Sequence, residues 1–207
     1  MLRVDGQRLL ADLESLGRIG ATPDGGVSRL AFSEEDLEGR RWFERRVEEA
    51  GLVLRSDGAG NLSAVLPVDD PGARTLLLGS HLDTVPNGGR YDGALGVLAA
   101  LEVLRTVKER RLALPVHLEA ISFTDEEGSL LGEFGSLALA GKLDEEALAR
   151  ARGGSAALEE GMARLGIDLE SARAARRPPK ELLAYLELHI EQGTRLESAG
   201  LDIGAVT

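Results

Sequence analysis

Apolar residues along this chain alternate between helix-spaced stripes and short continuous runs. Leu9, Leu10, Leu13 and Leu16 fall at helical intervals, and Gly17 ends that stripe. "SEEDLEGRRWFERRVEEAG" predicts a second helix, with Ser33 as N-cap, Asp36 three residues on and Gly51 closing it. Leu37, Trp42, Phe43, Val47 and Ala50 give it an uneven apolar stripe that faces the core. "LVLRSDGAGNLSAVLP" predicts two short strands joined by a turn around Gly58–Asn61. "RTLLLGSH" is a short continuous apolar run, typical of a strand buried on both faces. Leu95, Leu98, Leu101 and Leu104 place a helix over Gly93–Val107. "PVHLEAISFTDEEG" predicts a second strong strand ending in acids. "GSLALAG" and "DEEALAR" predict short helices. "RGGSAALEEGMARLGIDLESARAARRPP" is polar, with weak helices expected at the surface, and "ELLAYLELHIEQG" predicts a third strand.

Strands alternating with helices predict an α/β fold, with a largely parallel central sheet flanked by helices. Ligands of such sheets bind just outside the carboxyl ends of the strands. Here three strands end in "SHLD", "TDEEG" and "HIEQG", so polar groups gather at one end of three separate strands. The sequence has no internal repeat.

Composition narrows the chemistry. At 207 residues the chain is long enough for one ordinary domain, and 43% hydrophobic with 29% charged residues is a globular balance. A net charge of -11 disfavours nucleic acid and anionic membranes as partners. There is no cysteine, so any metal must take nitrogen and oxygen ligands. The first residues lack a signal-peptide apolar core, and no apolar run approaches the ~20 residues of a membrane span. The expectation is a soluble, cytoplasmic protein.

Candidate site residues lie at the three polar strand ends. His81 and Asp83 stand two apart in an extended segment and so point the same way, which suits a carboxylate supporting a metal-binding histidine. Asp92, in "YDGALG", starts a helix where backbone donors favour a carboxylate; alone it reads first as an N-cap. Glu126 and Glu127 are adjacent and diverge, so one can ligate a metal while the other acts as general base. A lone "DEEG" reads as a solvated loop. Of the three histidines, His81 and His189 lie near acid-bearing strand ends, whereas His117 starts its strand and has no assigned role. Taken jointly, these residues favour a metal site. Gly88, Gly89, Gly93 and Gly96 make a turn and permit close helix packing; "GGRYDGALG" matches neither the dinucleotide fingerprint nor the P-loop.

"SHLDTVPNGGRYDGALG", "FTDEEG", "FGSLALAG" and "ELHIEQG" occur in an order that resembles the amidohydrolase branch of the M20 metallopeptidase family. That branch includes N-carbamoyl-L-amino-acid hydrolases, allantoate amidohydrolases and β-ureidopropionases. The resemblance spans about residues 79–193. The short His81–Asp92 connection and a histidine at 189 favour this branch over the peptidases. The resemblance implies the catalytic-domain portion of a zinc-peptidase-like fold. It implies that Asp92 bridges two divalent ions, His81 and His189 complete one site, and Glu127 binds the other. It further implies that Glu126 is the general base, that Asp83 orients and polarises His81, and that Gln192 contacts substrate. Zinc, manganese, cobalt and nickel are the implied ions, and the implied reaction is hydrolysis of a linear ureido or amide C–N bond.

Family members insert a lid and dimerisation domain, then return to finish the catalytic domain. By resemblance, residues 1–207 correspond to the part before that lid. The returning histidine, the last ligand of the Glu127 ion, and the lid's substrate-binding arginine and asparagine have no counterpart here. One metal site then has all its protein ligands and the other lacks one. The expectation is weak activity or none for this chain by itself, no lid-mediated homodimer, and self-association through an exposed edge or apolar surface. Allantoate hydrolysis, an aminopeptidase and a catalytically inactive binding module remain alternative readings.

Overall fold

The computed structural model describes residues 2–206. Helix α1 (Gly6–Leu16) starts at Asp5, whose carboxylate accepts the N–H groups of Gln7 and Arg8, and ends at Gly17. Helix α2 (Glu34–Glu49) starts at Ser33, whose hydroxyl accepts the Asp36 N–H. The Asp36 carboxylate bonds the Phe32 N–H instead of closing a capping box. Strands β1 (Val53–Ser56) and β2 (Leu62–Leu66) form the expected hairpin. Strand β3 (Thr75–His81), helix α3 (Ala94–Glu109) and strand β4 (His117–Phe123) make a parallel crossover unit. Helices α4 (Phe134–Ala140), α5 (Glu145–Leu148), α6 (Gly154–Arg164) and α7 (Leu169–Ala174) follow, then strand β5 (Leu182–Leu186) and helix α8 (Arg195–Ala199).

The sheet order is β1-β2-β4-β3-β5. The three strands bearing the polar motifs, β3, β4 and β5, are mutually parallel, as expected. The β1–β2 hairpin extends the sheet antiparallel to β4, so the sheet is mixed. Alternation along β4 divides the core into two layers. Leu118 and Ala120 pack with α1, α2 and α3, in a cluster that includes Leu16, Phe43, Val47, Leu98 and Leu101. Ile121 and Phe123 face the other side, against Leu77 and Leu139 of α4.

The polar stretch after α5 departs from the sequence expectation. It does not simply lie on the surface: Leu158, Met162 and Ala172 are buried in a separate cluster with Phe32 and Phe134. Leu158 and Met162 sit one helical turn apart, which is enough to seal a small core once distant aromatic partners are supplied. Strand β5 is the sheet's edge beyond β3, and Leu183, Tyr185 and Leu186 along it are exposed. Among the described residues, no helix is long and apolar enough to cross a membrane.

Candidate metal centre

The site forms where β3 and β4 release their chains, beside the start of α3. His81 is the last residue of β3 and is 2% exposed. Its ring lies directly on the backbone of Gly93, the N-cap of α3; a Cβ there would come within 2.4 Å of the imidazole. Gly93 also has φ 61° and ψ -50°, a positive-φ conformation that residues with a Cβ rarely adopt. Glycine at this position therefore lets Asp92 and the helix start approach the buried ring.

His81, Asp92 and His189 each offer a ligand atom, and those atoms lie within 4.8 Å of one another. His81 Nδ1 is 2.9 Å from the Asp83 carbonyl oxygen, and His189 Nδ1 is 2.8 Å from that of Ile190. A carbonyl only accepts, so each Nδ1 carries a proton and donates it. In the neutral rings, both Nε2 lone pairs then face the centre. Asp92 Oδ1 is buried and has no hydrogen-bond donor among the described residues. It lies 3.1 Å from His189 Nε2 and 4.0 Å from His81 Nε2. Two nitrogen lone pairs and an orphaned carboxylate oxygen thus converge on one point. Such a set fits a divalent cation of the borderline class.

The other predicted residues lie around this triad. The Asp83 carboxylate lies 3.8 Å from His81 Nδ1, beyond hydrogen-bond range. It instead accepts the main-chain N–H groups of Glu126 and Glu127, at 3.3 and 3.1 Å. Asp83 thus orients His81 through its carbonyl and holds the acidic loop through its carboxylate. Burial pushes its pKa up to about 7, against the lowering effect of the nearby His81. Glu126 Oε2 is 3.5 Å from His81 Nε2, and the side chain is partly exposed. Glu127 lies outside the triad's cluster, but burial raises its pKa, and Asp92 and Glu126 raise it further by charge repulsion. Gln192 Nε2 donates to Asp92 Oδ2 at 2.9 Å, so it steadies the Asp92 carboxylate. His117 Nδ1 accepts the Val68 N–H at the far end of β4, in keeping with its lack of a role at the centre.

Several residues that build the site carry no signal of their own in the sequence. Asp125, fully buried and at φ 51°, accepts N–H groups from Ser129, Leu130 and Leu131 and so folds the loop that presents the two glutamates. Asn61 accepts the Thr124 N–H and donates to the Gly135 carbonyl, tying the β1–β2 turn to the same loop. Arg29 is 1% exposed and donates to the carbonyls of Leu82, Leu16 and Ile19. It anchors the segment that follows His81. The bonds of Asp125 are local but follow no capping or turn pattern that the sequence spells out, and the partners of Asn61 lie far away in sequence.

Relatives of this chain share this part of the fold. It is 43% identical over 206 residues to an N-carbamoyl-L-amino acid amidohydrolase of Geobacillus stearothermophilus, covering 99% of this chain and 50% of that protein. It is 37% identical over 198 residues to an allantoate amidohydrolase of Bacillus subtilis, covering 94% of this chain and 48% of that one. The crystal structure of a hydantoinase/carbamoylase family amidase from Burkholderia ambifaria superimposes with a TM-score of 0.77 at 39% identity, covering 96% of this chain and 48% of that chain. The chain thus spans about half the length of the curated relatives it matches. Residues 77–206, which contain every predicted site residue, match the profile of Peptidase family M20/M25/M40, and the chain belongs to that family.

Proposed function

We propose that this chain carries the metal-binding and proton-transfer part of an amidohydrolase that cleaves linear ureido C–N bonds, with N-carbamoyl-L-amino acids as substrates. The supporting observation is the orphaned Asp92 Oδ1 among two histidines whose Nδ1 protons are already committed. The substrate class follows the amidohydrolases that this chain resembles over nearly its whole length.

When bound, a divalent cation supplies Lewis acidity, polarising the scissile carbonyl and making water a stronger acid. His81, Asp92 and His189 would hold it. Glu127, with Asp92, would hold a second ion of the same class. Glu126 stands beside His81 at the open side of the centre, and Asp83 fixes its backbone. Its carboxylate takes the proton of the attacking water and returns it to the leaving nitrogen.

The test is ammonia release from N-carbamoyl-L-amino acids, with manganese or zinc, by the chain mixed with the second half of a relative. Carbamoyl amino acids should react faster than allantoate or dipeptides, and chelation should abolish the rate. Glu126→Gln should keep metal binding and lose about 10²–10⁴-fold in rate. Faster hydrolysis of dipeptides would instead indicate an aminopeptidase.

A further inference from the structure

We propose that Glu187 is a positioning residue that sets His189 against Asp92; its functional value rests on the metal reading of that site. The β3–β5 ladder ends at the Leu78–Leu186 pair. His189 lies three residues beyond that last pair, so no strand pairing places it. The Glu187 side chain bridges the gap. Its Oε1 accepts from Ser80 Oγ at 2.5 Å, and its Oε2 accepts from the Tyr185 hydroxyl at 2.7 Å. That hydroxyl also lies 3.1 Å from the Gly79 carbonyl oxygen.

Both bonds run from a hydroxyl donor to a carboxylate acceptor, a kind stronger than a bond between neutral groups. Ser80 is 1% exposed and immediately precedes His81, so it is a rigid anchor beside the first metal-binding histidine. One residue further on, the Leu188 carbonyl packs on Gly96 of α3, where a Cβ would lie 2.6 Å from that oxygen. Glu187 therefore fixes one side of the 187–189 segment to β3 while Gly96 lets the other side close onto α3. The two histidine rings are brought to 6.2 Å between centroids. Among the described residues its hydrogen bonds go to Ser80 and Tyr185 and not to the triad, so Glu187 acts through the chain that carries His189.

The test uses the chain with Glu187→Gln and, independently, Ser80→Ala, which removes one bond from the opposite strand. The first reading, on metal-free protein, is the nuclear Overhauser contact between the His81 and His189 rings. The contact of His117 with Val68 serves as the control for the intact fold. The second is zinc affinity by calorimetry. The expected result is a weakened His81–His189 contact, an unchanged His117–Val68 contact and a zinc affinity about 10–100-fold lower. An unchanged ring contact overturns the proposal. So does loss of both contacts together, which indicates general loosening, or a zinc affinity equal to the parent's despite the lost contact. If the parent itself binds no zinc, the metal reading fails while the ring contact still decides the role of Glu187.

Discussion

Gly93→Ala is the perturbation whose cost the geometry fixes best. Gly93 has φ 61° and ψ -50°, and an added Cβ would lie 2.4 Å from His81 Cε1 and 2.5 Å from its Cδ2 and Nδ1. Two penalties follow. Holding alanine at this positive φ and negative ψ costs about 1–2 kcal/mol or more. Forcing a methyl into a packed, buried ring costs about 1–3 kcal/mol more. The sum is about 2–5 kcal/mol, unless the His81 ring yields and part of the cost moves into metal binding. Gly89 is the control: nothing lies within 4 Å of its added Cβ, and its φ is not positive. The assay is urea unfolding of metal-free protein, paired with zinc titration. Gly93→Ala should lose about 2–5 kcal/mol, or about 10-fold or more in zinc affinity. Gly89→Ala should stay within about 0.5 kcal/mol. A Gly93→Ala variant matching the parent in both readings would refute the close packing of His81 on the helix start.

Two further predictions concern buried groups. Arg29 donates to three main-chain carbonyls, with no carboxylate hydrogen-bond partner among the described residues, and burial lowers its pKa to about 10. Arg29→Met leaves those carbonyls without their donor and should cost about 3 kcal/mol or more in urea unfolding; a loss below about 0.5 kcal/mol would show that water replaces the guanidinium. Burial, then the bond to Glu187, holds the Tyr185 phenol well above its ordinary range. A folded-state pKa above the unfolded one means stability fully present below about pH 10 and lost as pH rises beyond it. Ultraviolet titration of a Tyr91→Phe background should show Tyr185 ionising above the ordinary tyrosine range, with Glu187→Gln lowering its midpoint; ionisation of Tyr185 within the ordinary range would contradict the bond.

The sequence makes the strand ends legible because a run such as "TLLLGSH" changes from apolar to polar within two residues. That change reveals where β3 stops and where its histidine stands. The same cue misplaces the end of β5. "LELHI" continues the apolar pattern past Leu186, yet the ladder ends there and side-chain bonds from Glu187 take over. Asp83 shows a second limit. Its spacing from His81 is readable, but nothing local says that its carbonyl meets the ring while its carboxylate reaches the N–H groups of Glu126 and Glu127. Gln192 likewise turns to Asp92, a hundred residues earlier in the chain. The small core of Leu158, Met162 and Ala172 stays hidden because Phe32 and Phe134, which cover it, lie elsewhere in the sequence. Period and spacing reveal local direction, whereas these features depend on contacts that only the fold creates.

The metal triad itself is tested by titrating metal-free chain with zinc in a calorimeter, beside His81→Ala and a urea-unfolding control for each protein. His81, Asp92 and His189 converge on one point, so the parent should bind an ion there. His81→Ala should lose that ion while remaining folded. Equal binding by parent and variant, or no binding by a folded parent, would contradict a metal centre built on these three residues.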